Sequence, residues 1–526
     1  WKQVGRDIEG LAAGTQSGTS VALSGDGKTL IVSSPLVNPA GKAKGTAGIV
    51  DSYTIDILNN TWKSDGDGGR IVGYAGDYLD SVTISDDGSV IAIGGIGQHD
   101  SQGEFGLYEK VFDASGNVTW TWRNGLYGPQ VNAFYGYSIK LSGDGKTLVV
   151  GAPRYEYDGD ELAGAFWINK ISNDFEITNT FSLAGLVNQE FGTRNAIDIS
   201  DDGTVLVFGS HSPSIGGHTV DNISDPTAGI MYQYRLKDSG WVLGYIQRGD
   251  SIYDRFGSSV AISGDGNSIH IGAWGQNRNN NTSNPVPTDD IYTGSGLVLQ
   301  HASKHPTNST PGWWKINNEI FGISGDDSDG DVVDISDDGS VIALGSQYAN
   351  NFAGRVRIFK DFGDGTWTQI GSDIIGEQSI DHSATSISLS DDGSTIAIGA
   401  PGNDGNGLNS GHTRIYSLKR DNGSVLSLAE INTLDNGENF SLFDRWKYIS
   451  TNKNDFVNDL SGSDGTFILT GEFIDYSISR NQDVLMIDDS RVYGDGFDWL
   501  KNIEYIQFSD QIVEESKVDV VKTYSG

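Results

Sequence analysis

The chain contains no cysteine among its 526 residues. Disulfides, thiolate zinc sites and cysteine nucleophiles are therefore excluded. No run of about 18 apolar residues occurs either, so the sequence predicts no segment that spans or inserts into a membrane.

Positive charge is scarce, with 35 basic residues against 70 acidic ones and a formal net charge of −35. Such a chain repels phosphate backbones and anionic membrane surfaces, so nucleic acid is not expected as a partner. Two interpretations of the acidity stay open: a solvated, salt-tolerant surface, and carboxylates that gather calcium.

The chain is rich in glycine, with 71 residues, and seven near-copies of one apolar-turn-apolar pattern recur along it. The turn aspartates of these copies follow one another at spacings of 54 to 73 residues: Asp26, Asp87, Asp144, Asp202, Asp265, Asp338 and Asp392. One such period has room for about four strands of 5 to 6 residues with their loops, which is one propeller blade. The sequence therefore predicts an all-β fold, a seven-bladed β-propeller of four-stranded blades over residues 1–432.

Each copy turns on a Ser-Gly-Asp-Gly or Ser-Asp-Asp-Gly segment. A serine and an Asp-Gly pair supply a side-chain acceptor for the local backbone and a glycine that accepts positive φ, so the primary role predicted for these aspartates is to form the hairpin turn. The strands after the turns, such as "LVVGAP" and "TIAIGAP", taper to small residues, which we expect where seven sheets crowd together.

The opening "WKQVGRDIEG" matches the run that begins at Trp367, which is a fourth strand in the repeat phase. We therefore expect Trp1 to Gly5 to complete the last blade and close the ring, which removes a free sheet edge.

Two copies, "YGYSIKLSGDGKTLVVGAP" and "FGSSVAISGDGNSIHIGA", carry a family resemblance. Their Phe-Gly element (Phe256, Gly257) and Gly-Ala-Pro elements (Gly151 to Pro153, Gly399 to Pro401) are similar to FG-GAP repeats, the blades of integrin α-subunit propellers and of many bacterial surface proteins. Calcium loops of that family hold several acidic ligands, whereas these turns are four residues long, and calcium requires 6 to 8 oxygens.

The densest acidic segment is "SGDDSDGD". We therefore predict that calcium, as a cofactor, binds there rather than in the hairpins, through Asp326, Asp327, Asp329 and Asp331. The alternative is a solvated connector that precedes a strand.

The repeat ends near residue 432, and residues 433–526 are predicted to form a small β-rich domain. The segment "IDYSISRNQDVLMIDDSRVYGDGFDWLKNIEYIQFSDQIV" closely resembles the module that accompanies repeats-in-toxin (RTX) arrays in bacterial proteins exported by type I secretion. This resemblance implies a secreted or cell-surface location.

Catalytic motifs are not found: there is no His-Glu-x-x-His, nucleophile elbow or phosphate-binding glycine loop. The sequence therefore favours an extracellular recognition or adhesion scaffold that binds a protein or a glycan. Two alternatives stay open: a structural component of a surface layer, filament or virion that self-assembles, and a secreted hydrolase that uses the central funnel.

Aromatic residues in "TWTWRNGLYG" (Trp120, Trp122, Tyr127) are candidates either for stacking on sugar rings or for blade packing.

Overall fold

The computed structural model divides the chain into two compact units, Trp1–Leu418 and Lys419–Gly526. It describes residues 1–38, 46–56, 59, 61–113, 115–159, 163–185, 191–211, 228–249, 254–276, 293–302, 312–315, 319–323, 327–362 and 366–418, together with the strands of the second unit. The predicted boundary at residue 432 lies outside the described residues.

The first unit is a seven-bladed propeller, because its strands form seven antiparallel sheets in which consecutive strands pair side by side. The innermost strands are β3 (Val21–Leu23), β8 (Leu79–Ile84), β12 (Ser138–Leu141), β16 (Ile197–Ile199), β20 (Phe256–Ile262), β25 (Val332–Ile335) and β30 (Ser386–Leu389). The second strands are β4 (Thr29–Ser34), β9 (Val90–Gly95), β13 (Thr147–Ala152), β17 (Val205–Ser210), β21 (Ser268–Ala273), β26 (Val341–Ser346) and β31 (Thr395–Ala400).

The outer half of each blade has a third strand and an outermost strand, and some outermost strands are split in two. The third strands are β5 (Ile49–Asp56), β10 (Glu104–Phe112), β14 (Ala165–Ile171), β18 (Ile230–Lys237), β22 (Ser295–Ala302), β27 (Arg355–Asp361) and β32 (His412–Ser417). The outermost strands of blades 1 to 6 are β6 (Thr61–Ser64) with β7 (Arg70–Val72), β11 (Val118–Tyr127), β15 (Ile177–Ala184), β19 (Gly240–Arg248), β23 (Gly312–Lys315) with β24 (Ile320–Phe321), and β28 (Trp367–Gln369) with β29 (Ile374–Ile375). The predicted seven blades of four strands are confirmed.

The seventh blade takes its outermost strand from the start of the chain. Strands β1 (Lys2–Gln3) and β2 (Ile8–Glu9) both pair with β32, with Gln3 opposite Tyr416 and Glu9 opposite His412. The Trp1 indole donates to the carbonyl of Ile370 at 3.0 Å, which ties the same segment to blade 6. The predicted ring closure is confirmed.

The seven hairpins turn as the sequence predicts. In the first, the Ser24 hydroxyl donates to Asp26 at 2.8 Å, and Asp26 accepts the backbone N–H of Lys28 at 3.0 Å. Gly27 takes φ 63°, a conformation that glycine adopts without strain. The turn aspartates thus have structural partners within their own hairpins.

The small residues at the ends of the second strands lie where neighbouring blades crowd together, as the sequence predicts. A Cβ on Gly209 would lie 1.9 Å from the carbonyl oxygen of Gly257, and one on Gly272 would lie 2.0 Å from that of Gly330. These contacts join the end of one blade's second strand to the start of the next blade's inner strand. The small residues of the second strands therefore lie at backbone-to-backbone contacts between neighbouring blades.

The core lies between the sheets, in separate clusters for successive pairs of blades. Phe166, Phe191 and Phe208 pack together between blades 3 and 4, and the ring centroids of Phe166 and Phe208 are 4.5 Å apart.

The described residues include two four-residue helical turns, α1 (Gln98–Ser101) and α2 (Ala349–Phe352), which lie in connections between second and third strands. No helix in the described residues is long and apolar enough to cross a membrane.

The second unit contains two four-stranded sheets in its described part. Their strands are β33 (Lys447–Ile449), β34 (Phe456–Asn458), β35 (Thr466–Ile468), β36 (Tyr476–Asn481), β37 (Val484–Asp489), β38 (Phe497–Lys501), β39 (Tyr505–Gln507) and β40 (Ile512–Glu514). The orders are β33-β35-β39-β40 and β34-β38-β37-β36.

Candidate functional site

The two faces of the propeller differ in their loops. The tight hairpins between the first and second strands lie on one side, which we call the hairpin face. The longer connections, from second to third strands and from each blade to the next, lie on the opposite side, the loop face. This arrangement follows from the antiparallel order of the strands.

Backbone strain is concentrated on the loop face. Non-glycine residues with positive φ on this face are Gln16, Tyr78, Asp100, Ser101, Asn132, Phe134, Asp158, Asn195, Arg255, Ser328, Asn350, Asn351, Phe352, Ile380, His382, Ala384 and Asn409. Within the described residues the exception is Phe175, in a hairpin on the opposite side. Such conformations cost on the order of 1–3 kcal/mol each and cluster at functional sites.

The loop face also exposes large apolar side chains. They are Leu11, Tyr74, Tyr78, Val131, Tyr157, Ile323, Tyr348, Phe352, Ile380 and Leu408. Tyr74 is 73% exposed and Leu408 is 70% exposed. The loop face therefore presents apolar side chains that are available for contact with a partner.

An acidic and aromatic cluster lies at the loop-face end of blade 2, and we call it the blade 2 cluster: Tyr74, Asp77, Glu104 and Tyr127. Glu104 begins β10 and lies opposite Tyr127 on β11. On its other side Glu104 faces Gly95, which has no side chain, and a Cβ there would lie 3.5 Å from the Glu104 Cγ.

The electrostatics of this cluster keep one carboxyl group partly protonated near neutral pH. Burial, with the added charge of Asp77, raises the pKa of Glu104 to about 7. The nearby charge of Glu104 in turn raises the pKa of Tyr127. Tyr74 and Tyr127, 73% and 58% exposed, offer ring surfaces beside a carboxyl group that can donate or accept a hydrogen bond.

The aromatic candidates from the sequence have separate roles. Trp120 is 6% exposed and packs in the core between blades 1 and 2, so it belongs to blade packing. Trp122 and Tyr127 are 59% and 58% exposed. Only Tyr127 of these three adjoins the blade 2 cluster.

The central channel is lined by the inner strands and carries charge along its length. At the loop face Arg194 pairs with Asp80 and donates to the carbonyl of Thr19 at 3.2 Å, linking blades 4, 2 and 1. Deeper, the Lys140 ammonium lies 3.6 Å from Asp198, and its pKa is raised by Asp198 and, across the channel, by Asp334. The Lys140 side chain keeps 41% of its accessible surface, as expected for a group that lines an open channel.

Four carboxylates meet at the hairpin end of the channel, and we call them the axial carboxylates: Asp86, Asp201, Asp337 and Asp391. Each is the second residue of a Ser-Asp-Asp-Gly turn, and neighbouring turns are joined by backbone hydrogen bonds, as from Asp86 N–H to Gly143 O at 3.0 Å. A Cβ on Gly143 would lie 1.9 Å from the Asp86 carboxylate, and one on Gly264 would lie 2.1 Å from that of Asp201. The alternation of glycine and aspartate at this position leaves room for the carboxylates.

The axial carboxylates share their negative charge unequally. Burial and the charges of Asp86, Asp337 and Asp391 raise the pKa of Asp201 to about 8. Burial and the charge of Asp337 also raise the pKa of Asp86 to about 6. Protons are therefore retained here at neutral pH.

A pH-dependent stability follows from these shifts. An aspartate with a raised pKa in the folded state holds a proton that the unfolded chain releases near pH 4, so the free energy of unfolding should fall as the pH rises from about 4 to 8. Asp201→Asn should remove part of this slope and be more stable than the wild type by about 1 kcal/mol at pH 8, with little difference at pH 4. Urea unfolding in EDTA at pH 4, 6 and 8 measures this. The exposed variant Asp174→Asn should keep the wild-type slope, and an unchanged slope in Asp201→Asn would contradict the assignment.

The predicted calcium ligands lie in the blade 5 to blade 6 connection on the loop face. Asp326 lies outside the described residues. Asp327 and Asp329 both accept from the Arg355 guanidinium at 2.8 Å, and Asp329 also pairs with Arg357. Asp331 accepts from the Gln347 amide, and burial raises its pKa to about 6. The arginines neutralise two of the predicted ligands, and calcium binding at this loop stays a prediction.

Comparisons with known proteins give no family assignment. No family model matches the chain, and no curated protein matches it. The FG-GAP and RTX-associated resemblances therefore stay predictions.

The solved structures to which the chain is similar include the following two. The periplasmic gluconolactonase PpgL of Pseudomonas aeruginosa is 12% identical, with a TM-score of 0.41 over 69% of this chain and 86% of that one. Sqt1 from Chaetomium thermophilum is 12% identical, with a TM-score of 0.42 over 78% of this chain and 91% of that one. The propeller assignment rests on the sheet order of this chain itself.

Proposed function

We propose that the protein is an extracellular recognition scaffold that binds glycans on the loop face of its propeller. The observation that carries the proposal is the coincidence, on one face, of strained backbone, exposed aromatic rings and half-buried carboxyl groups. Tyrosine rings pack against the apolar faces of sugar rings, while carboxyl groups bond their hydroxyls. The blade 2 cluster provides both within one site.

The proposed extracellular location of the protein is supported by its sequence. The lack of cysteine, the acidic surface and the RTX-like C-terminal segment together support export from a bacterial cell, with the FG-GAP-like repeats as the presenting scaffold. Binding of a protein partner is the alternative use of the same face, and calcium at the Asp327 to Asp331 loop is proposed as an aid to either.

A glycan array tests the proposal, with labelled protein applied in calcium and in EDTA. Tyr74→Ala should weaken binding of a retained glycan about tenfold, or about 1.4 kcal/mol, because a stacking surface is lost. Glu104→Gln should weaken it at pH 8 more than at pH 6, since the amide resembles the protonated carboxyl group.

The matched control is Phe112→Ala. Phe112 is 66% exposed and ends β10, the strand that Glu104 begins. This variant should leave affinity unchanged. Failure of every glycan to bind, or equal losses in Tyr74→Ala and Phe112→Ala, would refute glycan recognition by the blade 2 cluster. Self-association without glycan would favour the surface-layer alternative.

A second candidate, a hydrolase, is favoured by one observation. Asp201 shares a hydrogen bond with Asp337, and a carboxylate pair that retains a proton is an arrangement used in acid-base catalysis. Release of sugar or lactone product by the wild type, and its loss in Asp201→Asn, would favour this function over binding alone.

A further inference from the structure

A buried histidine without a hydrogen-bond partner lies where the ring closes. His412 begins β32 and is 1% exposed, and neither of its ring nitrogens has a hydrogen-bond partner within the described part of the chain. Buried polar atoms are nearly always satisfied, so two free nitrogens on one imidazole require an explanation.

Two carboxylates face this imidazole. The Asp7 Oδ2 atom lies 3.7 Å from His412 Nδ1, and the Glu377 Oε2 atom lies 4.0 Å from the same nitrogen. The three donor atoms all lie within 4.8 Å of one another. These separations are too long for hydrogen bonds. They are also longer than the about 3 to 3.5 Å between two atoms that each lie about 2.1 Å from one ion, so binding an ion requires the three side chains to move closer together.

The equivalent position is satisfied directly in the two preceding blades. The register places Ser295, Arg355 and His412 at the same point of the third strand, opposite Phe321, Ile375 and Glu9. Ser295 donates to Glu319 at 2.9 Å, and Arg355 pairs with Asp327 and Asp329. In blade 7 an imidazole replaces these groups, and its carboxylate neighbours stay beyond hydrogen-bond reach.

The surroundings permit a cation. An imidazole ligates metals in its neutral form. Arg414 approaches the other oxygen of Glu377, at 3.8 Å, and leaves Oε2 toward the histidine. Asp7 also lines a surface cavity of about 380 Å³ with Arg6, Glu9 and Trp62.

We propose that Asp7, Glu377 and His412 bind one divalent transition-metal ion of the zinc type, which links the N-terminal strand to blades 6 and 7. One imidazole and two carboxylates form a mixed nitrogen and oxygen set that suits zinc better than calcium. Water completes the coordination, because Glu377 is partly exposed. The ion fastens the ring at the point where the two ends of the propeller meet.

Isothermal titration of the EDTA-treated full chain with Zn²⁺ tests this site. One equivalent should bind, with a rise in Tm of about 2 °C or more at saturating zinc. Asp7→Asn and Glu377→Gln, which preserve side-chain shape, should each weaken zinc at least tenfold. Asp373→Asn, at the position in blade 6 that corresponds to Asp7, should bind as the wild type does.

Cobalt provides a spectroscopic measurement that folding defects do not mimic. Co²⁺ should give visible absorption bands in the wild type that disappear in Asp7→Asn while circular dichroism is unchanged. Absence of stoichiometric zinc binding, equal affinity in Asp7→Asn, or calcium binding in place of zinc would each overturn the proposal. Glycan binding is measured separately, so its failure leaves this result intact.

Discussion

Replacing Asp329 with asparagine is expected to lower the free energy of unfolding of the propeller by about 3–5 kcal/mol. The Asp329 side chain is 2% exposed and accepts from two arginines, Arg355 at 2.8 Å and Arg357. Both guanidinium groups are buried, at 5% and 7% exposure. An amide leaves the buried arginines short of one negative charge, which is the costly way to break a buried ion pair.

The size of this effect distinguishes the buried network from surface pairs. Glu109→Gln removes the partner of Arg123 in a pair whose side chains are 36% and 38% exposed, and it should cost less than about 1 kcal/mol. Urea unfolding of both variants in EDTA gives the comparison. Similar losses in the two variants would show that the Asp329 network adds little to stability.

The same variant addresses the calcium prediction. If calcium binds at this loop, added Ca²⁺ should stabilise the wild type in urea, and Asp329→Asn should lose that increment in addition to its loss in EDTA. If the arginines are the only partners of Asp327 and Asp329, calcium should change neither protein. A calcium response that Asp329→Asn retains would place any site elsewhere.

The propeller itself was predictable because its signal is local and repeated. Each hairpin requires only a serine, an aspartate and a glycine within four residues, and seven copies establish the blade count without knowledge of any long-range contact. The closure was also visible, since "WKQVGRDIEG" and the Trp367 run are the same strand type. The partners of the strand-end glycines were not predictable, because a contact such as that of Gly209 with Gly257 joins two blades whose relative placement the repeat does not reveal.

The candidate sites were less predictable because their residues are far apart in sequence and do not recur. Asp329 was predicted to bind calcium because its acidic neighbours are adjacent in sequence. Its arginine partners lie on β27, the third strand of blade 6, 26 to 28 residues away. His412 and Asp7 lie at opposite ends of the propeller sequence. The sequence did contain one signal for the axial carboxylates. Turns of the types Ser-Gly-Asp-Gly and Ser-Asp-Asp-Gly alternate along most of the chain, and this alternation places the axial carboxylates against glycines of neighbouring blades.

Removal of the N-terminal strand tests the closure, and its effect should be larger still. Without residues 1 to 9 the chain loses the buried side chains of Val4 and Ile8, at 3% and 8% exposure, and the Trp1 contact with blade 6. Burial of three such side chains stabilises by about 1.5–3 kcal/mol each, so a loss of about 5 kcal/mol or more is expected. The exposed edge of β32 should also promote aggregation, as unpaired strands do.

The decisive arm of this experiment supplies the missing strand as a separate peptide. A synthetic WKQVGRDIE peptide should restore solubility and Tm to the truncated chain by adding to the open edge, since backbone pairing and two apolar anchors are all that the strand requires. A peptide with aspartate in place of Val4 and Ile8 should not restore solubility or Tm, because charged side chains cannot enter the sites between blades.

Addition of Zn²⁺ should tighten binding of the WKQVGRDIE peptide. Asp7→Asn in that peptide should remove the zinc effect while leaving rescue in EDTA intact. A truncated chain as stable as the full one, or rescue by the charged peptide, would mean that the ring does not depend on this strand for closure.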